Sequence, residues 1–427
     1  MWRIVFCMLI IAAGVYFSAQ GAFYALLFYL WNAYFRPDYW TFGGFIMSLH
    51  LSLIVGIYLV IRTIAMVPNP QINFRTILIW LFFAQTLVGC FTSEYPLTSW
   101  LYFQDFTKVL LITYLIVVLV NDRKQFRWVM VVIGISLGFE TAKQGWANLV
   151  RAPGAQNNNP IAFLGDNNGV AMGCMMLLPL LGALAQTAKG QRERFVHRFL
   201  AFGVFMRGIS TYSRGGFLGA GALAVIMVLR AERKVRAVIV VAVLAVLIWN
   251  VMPVSFWDRM NSITATEEER RDESASGRLY FWKVAARMAD AKPMTGVGLS
   301  AYSRAYPAYN TEGVFGGDRA AHSIWFGVWA ELGYPGLLLF ILNIVMAFWS
   351  CWRVGRLTKG IPSLRDLKIY ANALISTVVV YCVAGSFLAQ QYSEFAWHMF
   401  GLSTALHLIA LKEVSALRTL PAVKRAA

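Results

Sequence analysis

One histidine, His322, stands where a long polar segment gives way to aromatic and aliphatic residues, in A-A-H-S-I-W-F-G-V-W-A-E-L-G-Y-P-G (residues 320–336). An imidazole there is poised to take a proton near neutral pH, as a general base must. The other histidines, His50, His197, His398 and His407, fall in apolar runs or a basic cluster and read as structural. Two arginines, Arg207 and Arg214, interrupt or border apolar sequence, the second in T-Y-S-R-G-G (residues 211–216). A charge so placed faces a cavity or a partner, or else snorkels to the head groups. Arg214 is expected to open a helix with Gly215 and Gly216 beside it. Helix N-termini favour phosphate, the guanidinium fork grips its oxygens, and glycine lets backbone come close to a ligand. A base and arginines suited to phosphate are therefore the chemistry to be positioned.

The positioning elements are membrane helices. The 427 residues are 58% hydrophobic with only 14% charged, and long apolar runs recur along the chain. Runs of about 17–25 apolar residues cross a hydrocarbon core of roughly 30 Å, and in lipid the backbone must satisfy itself as helix. Spans are expected at 45–61, 77–90, 103–120, 128–149, 168–184, 195–211, 216–229, 237–252, 322–351, 369–390 and 395–411. Residues 4–34, with Arg3 before them, resemble a signal peptide at the start but continue apolar too far. They are expected to form one retained span, broken or tilted, giving about twelve in all with both termini in the cytoplasm. Gly333, Pro335 and Gly336 should break 322–351 after a first half ending near Leu332. Five scattered cysteines without a C-x-x-C pair read as small core hydrophobes rather than disulfides or a metal site.

The formal charge of +17 would suggest nucleic acid in a soluble chain, but its distribution excludes that class. Residues 254–321 hold nine acidic and nine basic residues and are neutral, so the excess lies in short links such as Arg123–Lys124–Arg127 and Arg230–Arg233–Lys234–Arg236. Basic links are retained on the cytoplasmic side, and their alternation places the large polar segment on the external side. Within that segment 267–273 is a solvated charge run. Ser276 would cap an amphipathic helix carrying Arg278, Trp282, Ala285 and Ala289 at helical spacing, suited to lying on the membrane-facing part of the domain. Residues 296–317, rich in Gly and Tyr, read as a mobile loop or lid.

The stretch H-S-I-W-F-G-V-W-A-E-L-G-Y-P-G resembles the motif of the O-antigen ligase and O-antigen polymerase superfamily, a histidine followed by E-x-G-x-x-G. T-Y-S-R-G-G resembles the S-R-G motif of that superfamily, and G-D-N-N-G-V-A (residues 165–171) its D-x-N-x-x-A element, with Asn167 and Asn168 where several relatives carry histidine and asparagine. The similarity covers about residues 165–401, and S-G-R-L-Y-F-W-K-V-A-A-R-M-A-D with P-M-T-G-V-G-L is closest to exosortase-A-associated O-glycosylation ligases. The resemblance implies an all-α integral membrane protein of GT-C type. It divides into N-terminal spans (1–150), spans carrying the D-x-N and S-R-G elements (151–253), a large periplasmic loop domain with short amphipathic helices (254–321), the histidine helix and last spans (322–412) and a cytoplasmic tail (413–427).

The resemblance further implies a glycosyltransferase of the bacterial inner membrane, inverting and without metal or other cofactor. The glycan would pass from undecaprenyl pyrophosphate to a hydroxyl of lipid A-core, protein or another glycan at the periplasmic face. His322, Arg214 and Arg278 would be catalytic, and Arg207, Arg319, Arg304, Asp166, Asn168 and Glu331 would join them in holding pyrophosphate and glycan. A polymerase using the same donor chemistry is the near alternative. A flippase for polyprenyl-linked glycans is the alternative of another class, and it would string its charges along a transport path instead of gathering them beside one external domain. The topology has a direct check. Single cysteines at Ser274 and Ser363 should label from opposite sides of the membrane in intact cells, and labelling from one side would overturn it.

Overall fold

A computed structural model of the chain describes residues 2–41, 44–67, 71–261 and 273–419, and the charge run at 267–272 lies outside them. Among the described residues the structure is helical, apart from one isolated bridge between Ile161 and Gly165. The N-terminal part contains α1 (Trp2–Ser18), α2 (Ala22–Phe35), the short α3 (Pro37–Trp40) and α4 (Gly44–Ser48), α5 (Leu51–Met66), α6 (Phe74–Phe91), α7 (Pro96–Leu119) and α8 (Arg123–Arg151). Next come α9 (Asn167–Gln186), α10 (Gln191–Ile209), α11 (Arg214–Arg230) and α12 (Lys234–Val251). The polar segment holds α13 (Val254–Asn261), α14 (Glu273–Ala291) and α15 (Tyr302–Tyr309). The bundle closes with α16 (Ile324–Leu357), α17 (Arg365–Gly385) and α18 (Glu394–Thr419).

From residue 77 onward each span expected from hydropathy coincides with a helix, while the one at 45–61 is divided between α4 and α5. Eight helical segments, among them α6, α7, α9, α12, α16 and α18, are long and apolar enough to cross a membrane, and α1 and α2 add two shorter apolar helices. The protein is therefore an all-α membrane protein. Its centre is built by α17 on α9, α18 on α7 and α16, and α10 on α8 and α9. At the rim, α12 has no buried residue, as an apolar helix surrounded by lipid requires.

The N-terminal expectation is corrected. Residues 2–35 form two antiparallel helices rather than one broken span: Gly14 of α1 meets Phe28 of α2, and Trp2 packs its ring on Trp40 at 5.5 Å. The polar turn between them ends the first helix because α5 takes its carbonyls, Tyr58 donating to Ser18 O and Arg62 to Ala19 O. Trp2 thus returns to the end of the bundle that bears Arg36 and Trp40, so the first residues and the link at 36–41 lie at the same end and not at opposite ends as expected.

The basic links gather at the opposite end and hold one another. Arg123 grips Asp366 with two nitrogens, at 2.7 and 3.0 Å, and Arg127 reaches Glu193 and Tyr370. Arg230 donates to Asn372 at 2.9 Å, and Arg365 and Lys368 both bind Glu232. Charges that would serve only to anchor topology here also fasten four links together.

The break in α16 falls at Gly333, as expected, with φ 68° and ψ −168°, a conformation open in practice to glycine alone. A break frees carbonyls that a membrane protein must satisfy internally. Residues 293–298 do this: Val297 N donates to Ala330 O, Gly298 N to Glu331 O, and Tyr334 N to Pro293 O. Gln85 of α6 closes the gap by donating to Leu332 O at 2.9 Å and to Met294 O at 2.8 Å. At Gly333 a Cβ would sit 2.4 Å from Pro293 O. Gly333→Ala should therefore destabilise the protein by at least about 1–3 kcal/mol, read as a lower unfolding midpoint in detergent. Gly355→Ala, in a helix with open space around its Cα, should be neutral or stabilising.

Candidate active site

Three corners meet around His322. The first is the start of α9, where Asp166 caps the helix by accepting from Gly169 N at 2.8 Å and remains exposed. Asn167 binds the carbonyl of Thr211 at 2.6 Å, tying this corner to the next, while Asn168 lies half-buried in the first turn. The second corner is the α10–α11 junction. Tyr212 turns left-handed at φ 57°, Ser213 caps α11 by accepting from Gly216 N at 3.2 Å, and Arg214 opens the helix at 7% exposure. Gly216 serves packing rather than ligand approach, since a Cβ on it would lie 2.5 Å from Ala171 Cβ. The S-R-G glycines thus let α11 close on α9 and α17.

The third corner is α14. It starts at Glu273, so Ser276 lies inside the helix and is not its cap. Its apolar face packs on α15 and on the first half of α16. Val284, Ala285, Met288 and Ala289 are fully buried with Tyr302, Tyr306, Ala321 and Ala330 in a second hydrophobic core. Residues 296–317 are therefore not a loose lid, because α15 and the turns before it supply half of that core. Trp282 stacks on Phe326 with ring centroids 4.9 Å apart and donates to Ala321 O at 3.1 Å, fixing α14 beside the strand that leads into His322. Arg278, one turn earlier, lies 5.9 Å from the ring of Phe387, and Gly215 on the other side would place a Cβ 3.6 Å from Phe387 Cβ. Phe387, after α17, is thus the common wall between the two arginine-bearing helix starts, and nothing in its local sequence marked it.

His322 itself is half-buried, in a left-handed conformation at φ 47° that only the surrounding packing sustains. Burial holds its pKa below the ordinary imidazole value, and Arg278 and Arg319 push it the same way while Asp166 opposes them. The ring is consequently neutral at neutral pH, with a lone pair free to accept a proton. Ser323, the next residue, is 1% exposed, and its Oγ has no hydrogen-bond partner among the described residues. Sequence reasoning passed over it, although a buried hydroxyl without a partner beside the base is a group that a bound ligand could engage.

The remaining candidates divide. Arg207 is fully buried, and its Nε, Nη1 and Nη2 donate to Gln144, Asn157 O and Asn159 O. It braces the loop before α9, with its donors turned to scaffold instead of a ligand. Arg304 pairs with Asp318 at 3.2 Å and Arg319 donates to Gly316 O, both on the exposed rim of the polar segment. Glu331 is nine residues beyond His322, about 13 Å along a helix. Buried there, it accepts from Gln391 at 3.1 Å and from Tyr392 at 2.7 Å. The motif that joins His322 to Glu331 and Gly333 is therefore a rule for building the broken helix, and the carboxylate does not share the histidine's site.

A membrane-embedded helical protein with a neutral histidine, two arginines and a capping aspartate gathered under one polar domain is the class defined by this geometry. Residues 199–341 match the family model described as O-antigen ligase, and residues 1–180 match a family of unknown function (DUF5935). No curated protein matches the chain. The first match runs from α10 through the S-R-G corner, α14 and His322 to the broken α16, so this part of the chain is similar to O-antigen ligases. That similarity supports a membrane function of O-antigen ligase or polymerase type.

The electrostatics carry a signed expectation. The acid limb of kcat/KM should lie below the ordinary imidazole pKa, because activity requires neutral His322. Asp166→Asn removes the group that raises that pKa and should move the limb to lower pH, whereas Arg319→Ala removes one that lowers it and should move the limb up. Shifts in the opposite senses would remove His322 from the rate-limiting protonation.

Proposed function

We propose that the protein is an inverting, metal-independent glycosyltransferase of the bacterial inner membrane, with its site at the periplasmic face. It transfers a glycan from undecaprenyl pyrophosphate to an acceptor hydroxyl. The observation that carries this reading is a neutral His322 within electrostatic reach of Arg278 and Asp166, with Arg278 approaching the same Phe387 on which the start of α11, the helix that Arg214 opens, is packed. Arg214 and Arg278 hold the pyrophosphate and balance its charge as the glycosidic bond breaks, which is the work a divalent cation does elsewhere. His322 Nδ1 or Nε2 accepts the hydroxyl proton while the acceptor oxygen forms its bond to the anomeric carbon. Attack opposite the leaving pyrophosphate inverts the configuration, and no carboxylate nucleophile is required. Asp166 faces the histidine and stabilises the imidazolium that results.

The test is donor binding and turnover by the purified full chain in nanodiscs, with undecaprenyl-pyrophosphate glycan and saturating acceptor, with and without chelator. His322→Ala should retain donor affinity and lose roughly 10²–10⁴ in rate. Arg214→Ala should lose both, and Arg214→Lys should recover only part because it keeps charge without the fork. Arg230→Ala, at the basic end of the bundle, should leave both intact. Loss of donor binding in a folded His322→Ala protein would assign the histidine to the phosphate, and activity abolished by chelator would overturn the metal-independent mechanism.

A further inference from the structure

On the other side of the strand that leads into His322 lies a cavity of about 730 Å³. Ala320 and Ala321, immediately before the histidine, form part of its wall, as do Leu164 and Gly169 on either side of the Asp166 turn. Arg214 and Arg278 do not line it. The cavity is closed by chain segments far apart in sequence: α2 and α3 give Arg36 and Asp38, α7 gives Tyr102, Asp105 and Lys108, and the turn into α18 gives Gln391 and Glu394. Most of the wall opposite His322 therefore belongs to residues 1–180, the part that matches a family of unknown function.

Its chemistry is that of a sugar site. Aromatic rings at Tyr102, Phe106, Phe163 and Tyr392 offer faces for the C–H side of a pyranose. Carboxylates outnumber cations, with Asp38, Asp105, Glu331 and Glu394 against Arg36 and Lys108. Both cations are already paired, Arg36 with Asp38 at 3.1 Å and Lys108 with Asp105 at 2.8 Å. A carboxylate of this wall can accept from a hydroxyl or ammonium donor. One wall group also lacks a partner. Gln391 is 5% exposed, its amide nitrogen donates to Glu331, and its Oε1 accepts nothing from the protein. A buried carbonyl left open on a cavity wall calls for a donor from a ligand.

We infer that this cavity is the acceptor subsite, that the N-terminal segment builds it, and that it selects an uncharged or amine-bearing glycan over a phosphate-bearing one. The inference rests on the transferase reading. In-line displacement requires the incoming hydroxyl on the face opposite the leaving pyrophosphate, and Ala320 and Ala321, which lead into His322, line the cavity while Arg214 and Arg278 do not. A recessed wall whose two cations are already paired offers a phosphate no counter-charge, whereas its carboxylates accept from hydroxyl and ammonium donors.

The experiment measures oligosaccharide binding to the full-length His322→Ala protein in nanodiscs, which separates recognition from turnover. The probes are an N-acetylglucosamine oligomer, its de-N-acetylated amine and a phosphorylated form. The uncharged and amine-bearing probes should bind more tightly than the phosphorylated one. Tyr102→Ala should weaken them by about tenfold, the factor given by one lost stacking contact. Asp105→Lys should reverse the order of the amine and the phosphorylated probes. Both residues are exposed at the cavity mouth, so neither change threatens the fold. Tightest binding of the phosphorylated probe, no saccharide binding at all, or indifference to both substitutions would overturn the subsite. In the wild-type background the same two variants should raise acceptor KM and leave donor affinity unchanged. A changed donor affinity with transfer intact would sink the subsite alone, whereas absence of any donor consumption would sink the transferase reading beneath it.

Discussion

The structure depends on a break in one membrane helix. At Gly333 the backbone of α16 leaves helical geometry, and the carbonyls of Ala330, Glu331 and Leu332 lose their intrahelical donors. In lipid such groups cost several kcal/mol each if left alone, so the break persists only because residues 293–298 and Gln85 supply donors. That repair has a consequence for position. It stitches the chain just after α14 to the middle of α16, and so fixes the polar segment on the membrane bundle at a single register. Gly296 and Gly298, both at positive φ, are needed there because a side chain on either would collide with Glu331 or Ser93.

The active-site corner inherits its rigidity from this stitch. With α14 held down, Trp282 stacks on Phe326 and Arg278 is presented at Phe387, next to the start of α11. His322 is left as the hinge between two anchored structures, the strand bonded by Trp282 and the buried first half of α16, and its left-handed backbone follows from that constraint. A base whose orientation is set by packing on both sides loses little entropy when a substrate arrives, and the burial that orients it also keeps it unprotonated.

Electrostatic asymmetry divides the molecule along its long direction. At one end the basic links interlock through Asp366, Glu193 and Glu232, so their charge is both a topological signal and a clamp. At the other end, Arg278, Arg319 and Asp166 act on His322, and the cavity lined by Ala320 and Ala321 carries more carboxylates than cations.

Much of this was legible from residue order, and the part that was not has a common cause. Hydropathy located most of the spans, the alternation of basic links brought those links to one end of the bundle, and E-L-G-Y-P-G announced the break in α16, because each of these is a property of residues within a few positions of one another. The same local rules misjudged residues 2–35, where the turn is set by Tyr58 and Arg62 of a later helix. They also took residues 296–317 for a mobile loop, when α15 and the turns before it pack on the apolar face of α14. Arginine was the hardest case. In sequence Arg207 and Arg214 look alike, yet Arg207 meets the carbonyls of Asn157 and Asn159 while Arg214 opens a helix beside Phe387. Glu331 likewise found Gln391 and Tyr392, sixty residues away. The sequence by itself determined which residues could carry charge and chemistry. Only the tertiary structure decided where each was directed, because a guanidinium or carboxylate binds whatever complementary group long-range packing brings within about 3 Å.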